Sequence, residues 1–275
     1  MEKLTLLITT FNVTEAEMQT RLSKMNLEAF FIVRNQNNKG IDNTVRLCIN
    51  GYNGIVYNIP NEMGASKNRN ELLKLASSKY IIFVDDDMVF HHGELEKLIN
   101  FIDTSQCDAV KYLVHLPNKV GRLAPKNKPR NRKKLHFLQC TDCGPWSYCF
   151  SRDFLIKNGL KFYEKIGPGT PVIKAGEDIL FIKNIFKEGV RMVPYNQVVA
   201  SVGQETSTWF TGFNDQQLII EGGIYYILYK PFHLLFYIRH YIRFGKYYNS
   251  SFFECLKKMW EGKQYAVQLQ REKQR

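Results

Sequence analysis

Apolar and polar positions in the first ninety residues alternate between two rhythms. Short, predominantly apolar runs occur at Leu4–Ile8, Ala29–Val33, Gly54–Tyr57 and Tyr80–Val84. Runs of this kind fit strands covered on both faces. Between them, Glu15–Met25 and the stretch carrying Leu72, Leu73, Leu75 and Ala76 space their apolar residues as helices do. Thr14 stands at an N-cap position. Asn43–Ile49 also reads as a helix. Strand, helix, strand, helix, strand predicts an α/β fold with a mostly parallel central sheet flanked by helices. Ligands bind such sheets outside the carboxyl ends of the strands. The polar clusters Thr10–Asn12, Arg34–Asn38 and Asp85–Asp87 are therefore expected on one rim.

The second half has a different texture. Asn118–Lys134 is dense in Lys, Arg and Pro and reads as a mobile loop. Gly167–Pro171 reads as a second flexible stretch. Beyond it, Ile179, Phe181, Ile182, Ile185 and Phe186 form a helical apolar face, with Glu177 and Asp178 in the first turn. From Gly222 to Tyr265 the chain interleaves aromatic and basic residues. That composition suits an anionic membrane interface, and equally a helical subdomain packed on the core.

The 275 residues are 44% hydrophobic and 23% charged, which excludes global disorder. A formal net charge of +12 favours an anionic partner: nucleic acid, a nucleotide-bearing substrate or an acidic membrane surface. No apolar run reaches the roughly 18 residues of a spanning helix. MEKLTLLITTFN lacks the features of a signal peptide. A cytoplasmic location, with or without peripheral attachment to the inner face of the membrane, is the expectation. Six cysteines are too few for a disulfide scaffold. Cys140 and Cys143 make a lone CxxC, read as reduced thiols rather than a zinc or redox site.

Three consecutive carboxylates, Asp85, Asp86 and Asp87, end the apolar run Tyr80–Val84. Adjacent acids repel, so a cation is expected beside them, unless they form a solvated turn that caps a helix. The ordered set TTFN, NEMGASKNRNELLKLASSKYIIFVDDDM, GPWSYCFSRDFLIKNGL and GEDILFIKNIFKEGVRMVPY resembles glycosyltransferase family 2, the nucleotide-sugar enzymes of the GT-A fold. The likeness runs from about residue 3 to 210 and is nearest to enzymes of bacterial capsule, exopolysaccharide or lipopolysaccharide synthesis.

The resemblance implies a catalytic domain over 1–221, with a nucleotide-sugar half at 1–115 and an acceptor half at 116–221. A helical extension at 222–275 follows. Asp85 and Asp87 correspond to the metal-binding DxD motif, with Asp86 between them, and Mn²⁺ or Mg²⁺ is the implied cofactor. Asn61, Gly64, Arg69 and Asn70 resemble the family's lead-in helix, where Lys67 and Arg69 would neutralise phosphate. For Arg69 a structural ion pair is the competing reading. Asp178, beside Glu177, corresponds to the catalytic base; helix N-terminal acids that complement the macrodipole are the alternative. Thr10, Phe11 and Asn12 would meet the nucleotide, or cap a turn. The family's acid after the second strand is missing, so Asn35 or Gln36 would substitute. The histidine after the final strand is also missing, with Gln204 near that place. Trp146 would line the acceptor pocket or fill the core.

The implied reaction is metal-dependent, inverting transfer from a UDP-sugar to a hydroxyl of a glycan acceptor, lipid-linked in surface polysaccharide synthesis. Two other readings compete. A sugar nucleotidyltransferase would want a Gly-rich phosphate loop, and LLITTFN has no glycine. A basic binder of nucleic acid or membrane fits the charge, but the cations are dispersed and no nucleic-acid motif is present.

Overall fold

The computed structural model describes residues 3–37, 40–115, 133–141, 144–202 and 212–272. Cys143, Gln204 and residues 118–132 of the basic stretch lie outside them. The first half runs β1 (Leu4–Phe11), α1 (Glu15–Lys24), β2 (Phe30–Gln36), β3 (Asn43–Ile49), β4 (Tyr52–Ile59), α2 (Ala65–Leu75), β5 (Tyr80–Asp85) and β6 (Met88–Phe90). Then follow α3 (Glu94–Ser105), β7 (Ala109–His115), β8 (Tyr148–Ser151), α4 (Arg152–Lys157), α5 (Glu177–Lys187) and β9 (Met192–Val202). The chain ends in α6 (Asp215–Tyr229), α7 (His233–Phe244) and α8 (Phe252–Glu272).

Among the described residues the strands form one sheet in the order β3-β4-β2-β1-β5-β8-β7-β9-β6. The parallel run is β4-β2-β1-β5, and β8 enters antiparallel between β5 and β7. Strand alternation sends side chains to both faces. Leu6, Ile8, Ile82 and Val84 pack with α1 and α3 residues such as Leu22 and Leu98. Leu7, Ile81 and Phe83 pack on the other face with Leu72 of α2 and Phe181 of α5. The apolar runs thus fill two cores at once. A capping box at Thr14 and Glu17 starts α1.

Asn43–Ile49 is a strand, not the expected helix. It pairs antiparallel with β4 through a turn at Asn50 and Gly51, whose φ angles are 51° and 86°. Asn-Gly with both φ positive is the favoured two-residue hairpin turn. Its strands alternate exposed and partly buried positions, a period of two that the apolar count hid.

The C-terminal helices build a further layer. Ile220 and Ile224 of α6 and Ala266 of α8 pack on Ile166, Ile173 and, in α5, Leu180. Helices α6 and α8 approach so closely that a Cβ on Gly262 would lie 1.9 Å from the Ile219 carbonyl oxygen. A Cβ on Gly222 would lie 2.1 Å from that of Met259. Only hydrogen at these positions permits the crossing.

Candidate active site

Parallel register lines up the strand ends. Thr10 is opposite Asn35, and Asn35 is opposite Asn58. Their side chains form a ladder: Thr10 Oγ1 donates to Asn35 Oδ1 at 3.0 Å, and Asn35 Nδ2 donates to Asn58 Oδ1 at 2.9 Å. Asn35 also accepts from Val13 N and donates to Val13 O. All its amide valences are used, and it is fully buried. Asn35 therefore holds the chain leaving β1 from beneath the rim, and its amide is not presented to a ligand. Phe11 and Asn12, by contrast, are exposed on that rim.

Gln36 meets a carboxylate that the sequence reading missed. Its Nε2 donates to Glu62 Oε1 at 2.8 Å. Glu62 also pairs with Arg34, and with Lys67 at 2.6 Å. Burial pushes the Glu62 carboxyl up, but hydrogen bonds from Arg34, Lys67 and Gln36 outweigh it and hold the pKa at about 2. An acid thus stands at the end of β2, supplied by the β4–α2 connection. Exposed Asn61, next to it, has a φ of 54°. Only the NEMG stretch itself signalled this residue.

The first turns of α2 bury four consecutive-zone polar residues: Ser66, Asn68, Arg69 and Asn70. Each ties the helix to a different segment, since a buried polar group needs a partner. Ser66 donates to Ile166 O, Asn68 to Arg34 O, and Asn70 to Phe162 O. Arg69 is the hub. Its Nη1 donates to Glu177 Oε1 at 3.0 Å and Asp178 Oδ1 at 2.9 Å, and its Nη2 to Asp85 Oδ1 at 3.2 Å. Phe162 lies under the guanidinium, 5.3 Å away, and stacks on Phe181. Arg69 is thus engaged by three carboxylates within the fold, rather than standing free for phosphate.

The acids differ in exposure. Glu177 is buried, while Asp178 and Asp85 keep 30% and 28% of their side chains open to solvent. Burial raises the pKa of both Glu177 and Asp178 above the usual carboxylate range, against the pull of Arg69. With Glu177 pushed toward its neutral form, Asp85 and Asp178 still set two carboxylates against one guanidinium at the end of β5. Asp86 turns elsewhere and pairs with Arg21 of α1. Burial raises its pKa in spite of that partner. Asp87 follows in the turn, partly buried.

The stretch 167–171 is a hydrogen-bonded turn rather than a flexible loop. Thr170 Oγ1 donates to Gly167 O at 2.7 Å and Ile173 O at 3.0 Å, and Ala65 N donates to Pro168 O at 3.0 Å. Gly167 has a φ of 110°, and a Cβ there would lie 2.9 Å from the Glu177 carboxyl. The turn therefore packs directly on Glu177. Trp146 sits in a 3-10 turn and packs against the core cluster that holds α1 and α3. Its carbonyl accepts from Tyr112 Oη at 2.5 Å.

Among the described residues no group of three or more His, Cys, Asp or Glu side chains is placed to hold a metal ion. The donor set at Asp85 and Asp87 nevertheless fits a hard divalent cation. Mg²⁺-like ions bind through one or two carboxylates and complete their shell with water and substrate phosphate. The surplus negative charge around Arg69 favours such an ion.

A two-faced α/β sheet with acids and amides converging at its strand ends places a ligand site outside those ends. The family model described as Glycosyl transferase family 2 matches residues 9–160, and the chain belongs to that family. Its fold is GT-A-like. No curated protein matches it. S. aureus TarS 1–349, solved with UDP-GlcNAc, is similar at TM-score 0.57 and 19% identity, covering 81% of this chain and 65% of that one. A longer TarS structure is similar at TM-score 0.59 and 19% identity, covering 87% of this chain and 43% of that one. The mannosyltransferase PcManGT from Pyrobaculum calidifontis, in complex with GDP-Man and Mn²⁺, is similar at TM-score 0.54 and 12% identity. That match covers 97% of this chain and 75% of the other. The chain thus spans less than two thirds of either TarS structure.

Proposed function

We propose that the protein transfers a sugar from a UDP-sugar to a hydroxyl of a glycan acceptor, with inversion at the anomeric carbon. The observation that carries this reading is the Arg69 hub. One guanidinium joins Asp85, on the strand-end acid motif, to Asp178, on the acceptor side. Diphosphate-side and base-side carboxylates are thereby held in one rigid frame.

Phe11 and Asn12 present the rim of β1 to the nucleotide, with Thr10 supporting it from below. Gln36 and Glu62 meet the base or ribose at the end of β2, and Lys67 stands by with its ammonium. Asp85 and Asp87 would hold Mn²⁺ or Mg²⁺ beside the diphosphate. That ion would supply Lewis-acid stabilisation of the charge that develops on the leaving group.

Asp178 takes the proton of the acceptor hydroxyl as its oxygen attacks the anomeric carbon. The bond from that carbon to the diphosphate oxygen breaks, and UDP departs with the electron pair. Glu177 stays beneath, fixing Arg69 and with it the orientation of Asp178. Burial raises the pKa of Asp178, the direction that makes a carboxylate a stronger base. The acceptor proposed is a lipid-linked oligosaccharide of a bacterial surface polysaccharide; Trp146, packed on the core, is left to a structural role. The proposed location is the cytoplasmic face of the membrane.

Calorimetry with UDP, GDP and CDP, with and without Mn²⁺, on wild type and Asp87→Ala tests the donor side. Metal-dependent UDP binding lost in the variant is the expected result. No nucleotide binding under any condition would overturn the reading.

A further inference from the structure

Helix α7 is inverted relative to an ordinary surface helix. Its inward face carries His233, Tyr237 and His240, all buried. Their polar groups turn to the protein: Tyr237 Oη donates to Gly222 O at 2.8 Å, and His240 bonds Tyr225 and Tyr248 at 3.1 and 3.0 Å. The opposite face carries Leu234, Leu235, Ile238 and Ile242, exposed at 49, 62, 42 and 80%. Helical spacing puts these four on one arc. Phe232, immediately before the helix, is 64% exposed. A solvated helix places its apolar stripe against the core and its polar stripe outward; α7 does the reverse.

Charge says what covers this face. Arg239 and Arg243 flank the apolar arc, and Lys230 and Lys246 stand at the two ends of the helix. No Asp or Glu occurs from residue 222 to 253. A second copy of the chain would bring the same cations into contact with no acid to meet them. Nucleic acid would meet the cations but leave four aliphatic side chains against phosphate and water. An anionic bilayer satisfies both, with lipid phosphates for the cations and acyl chains for the aliphatics. Among the described residues no helix is long and apolar enough to cross a membrane, and α7 has only 12 residues. It suits a helix that lies in the plane of the interface.

We propose that the outward face of α7 docks the enzyme on an anionic membrane through Leu234, Leu235, Ile238 and Ile242, with Arg239 and Arg243 on the headgroups. The division of labour in the C-terminal extension follows. Helices α6 and α8 pack on the catalytic half, and α7 rides on them as the membrane-facing element. The proposal deepens the reading of a lipid-linked acceptor and rests on it only for its biological purpose.

The test is co-sedimentation of the full chain with phosphatidylglycerol-containing vesicles and with pure phosphatidylcholine vesicles. Wild type, Leu235→Glu/Ile242→Glu and Arg239→Gln/Arg243→Gln are compared, with UDP binding and sedimentation velocity on the same samples. Wild type is expected on anionic vesicles only. The apolar double variant should lose partition at least about tenfold, since burying even one such side chain is worth that much. The arginine variant should bind more weakly and lose its salt sensitivity. UDP binding should not change, which separates failure of docking from failure of the donor reading. No vesicle binding by wild type, or equal binding by the apolar variant, would overturn the proposal. So would a wild-type oligomer that the apolar variant dissociates, which would assign the face to a second copy.

Discussion

Arg69 and Asp178 lie 109 positions apart in sequence, yet Nη1 of one donates to Oδ1 of the other at 2.9 Å. The same nitrogen reaches Glu177. This single buried cation ties α2 to the first turn of α5, and so joins the two halves of the sheet at the point where the chemistry is proposed.

Removing the cation should unfold before it inactivates. Arg69→Met leaves the buried Glu177 without its partner, a change that costs about 3–5 kcal/mol for a broken buried pair. Arg69→Lys keeps the charge but lacks the planar fork that serves three carboxylates, so an intermediate loss is expected. Urea denaturation midpoints of the two variants check the order. Equal midpoints for wild type and Arg69→Met would rule out the hub.

Asp178→Asn should keep donor binding and lose turnover by about 10²–10⁴-fold, the usual contribution of a general base. The wild-type rate should climb with pH as the carboxyl, held above its ordinary pKa, gives up its proton. That limb should vanish in the variant. A carboxyl whose folded pKa is raised destabilises the fold as pH rises through it. Asp178→Asn should therefore melt no lower than wild type above that range. Pre-steady-state rates and melting curves across pH measure both.

Glu62 makes the opposite linkage. Its folded pKa of about 2 lies below the ordinary 4.5. The unfolded chain then binds more protons between those values, and stability falls as pH drops through that window. Glu62→Gln should be less stable than wild type at neutral pH and converge with it near the lower end. The variant should also weaken nucleotide binding if Glu62 and Gln36 meet the base or ribose. Thermal melts as a function of pH, paired with calorimetry, read out each part separately.

Gly262→Ala tests the α6–α8 crossing. The added methyl meets the Ile219 carbonyl at 1.9 Å, so the helices must separate. Overpacking of this kind costs about 1–3 kcal/mol. A surface control such as Gly189→Ala meets nothing within 4 Å, though its φ of 75° adds some backbone strain. Comparison of the two melting temperatures isolates the steric part.

Much of the first half was legible because its strands are buried on both faces. Tyr80–Val84 is unbroken and Leu4–Ile8 is interrupted only by Thr5, itself buried, so their apolar runs announced them. β3 escaped because an edge strand alternates, and its Asn43, Thr44 and Arg46 diluted the apolar signal. The Asn50–Gly51 turn was the local cue that distinguished it. The acids Asp85–Asp87, Glu177 and Asp178 were visible as chemistry, but not their partners. Asn35 looked like a ligand-binding amide, while the structure spends its valences on Thr10, Val13 and Asn58.

By itself the sequence determined the layered α/β class, the strand-end acids and the aromatic, basic character of the tail. Those follow from local periodicity and composition, which act over a few residues. Tertiary structure alone decided that Arg69 gathers Asp85, Glu177 and Asp178, that Glu62 supplies the acid beside Gln36, and which face of α7 looks outward. Each depends on segments far apart in the chain meeting at one point, and a buried charge or an exposed aliphatic face is defined only by what the fold packs against it.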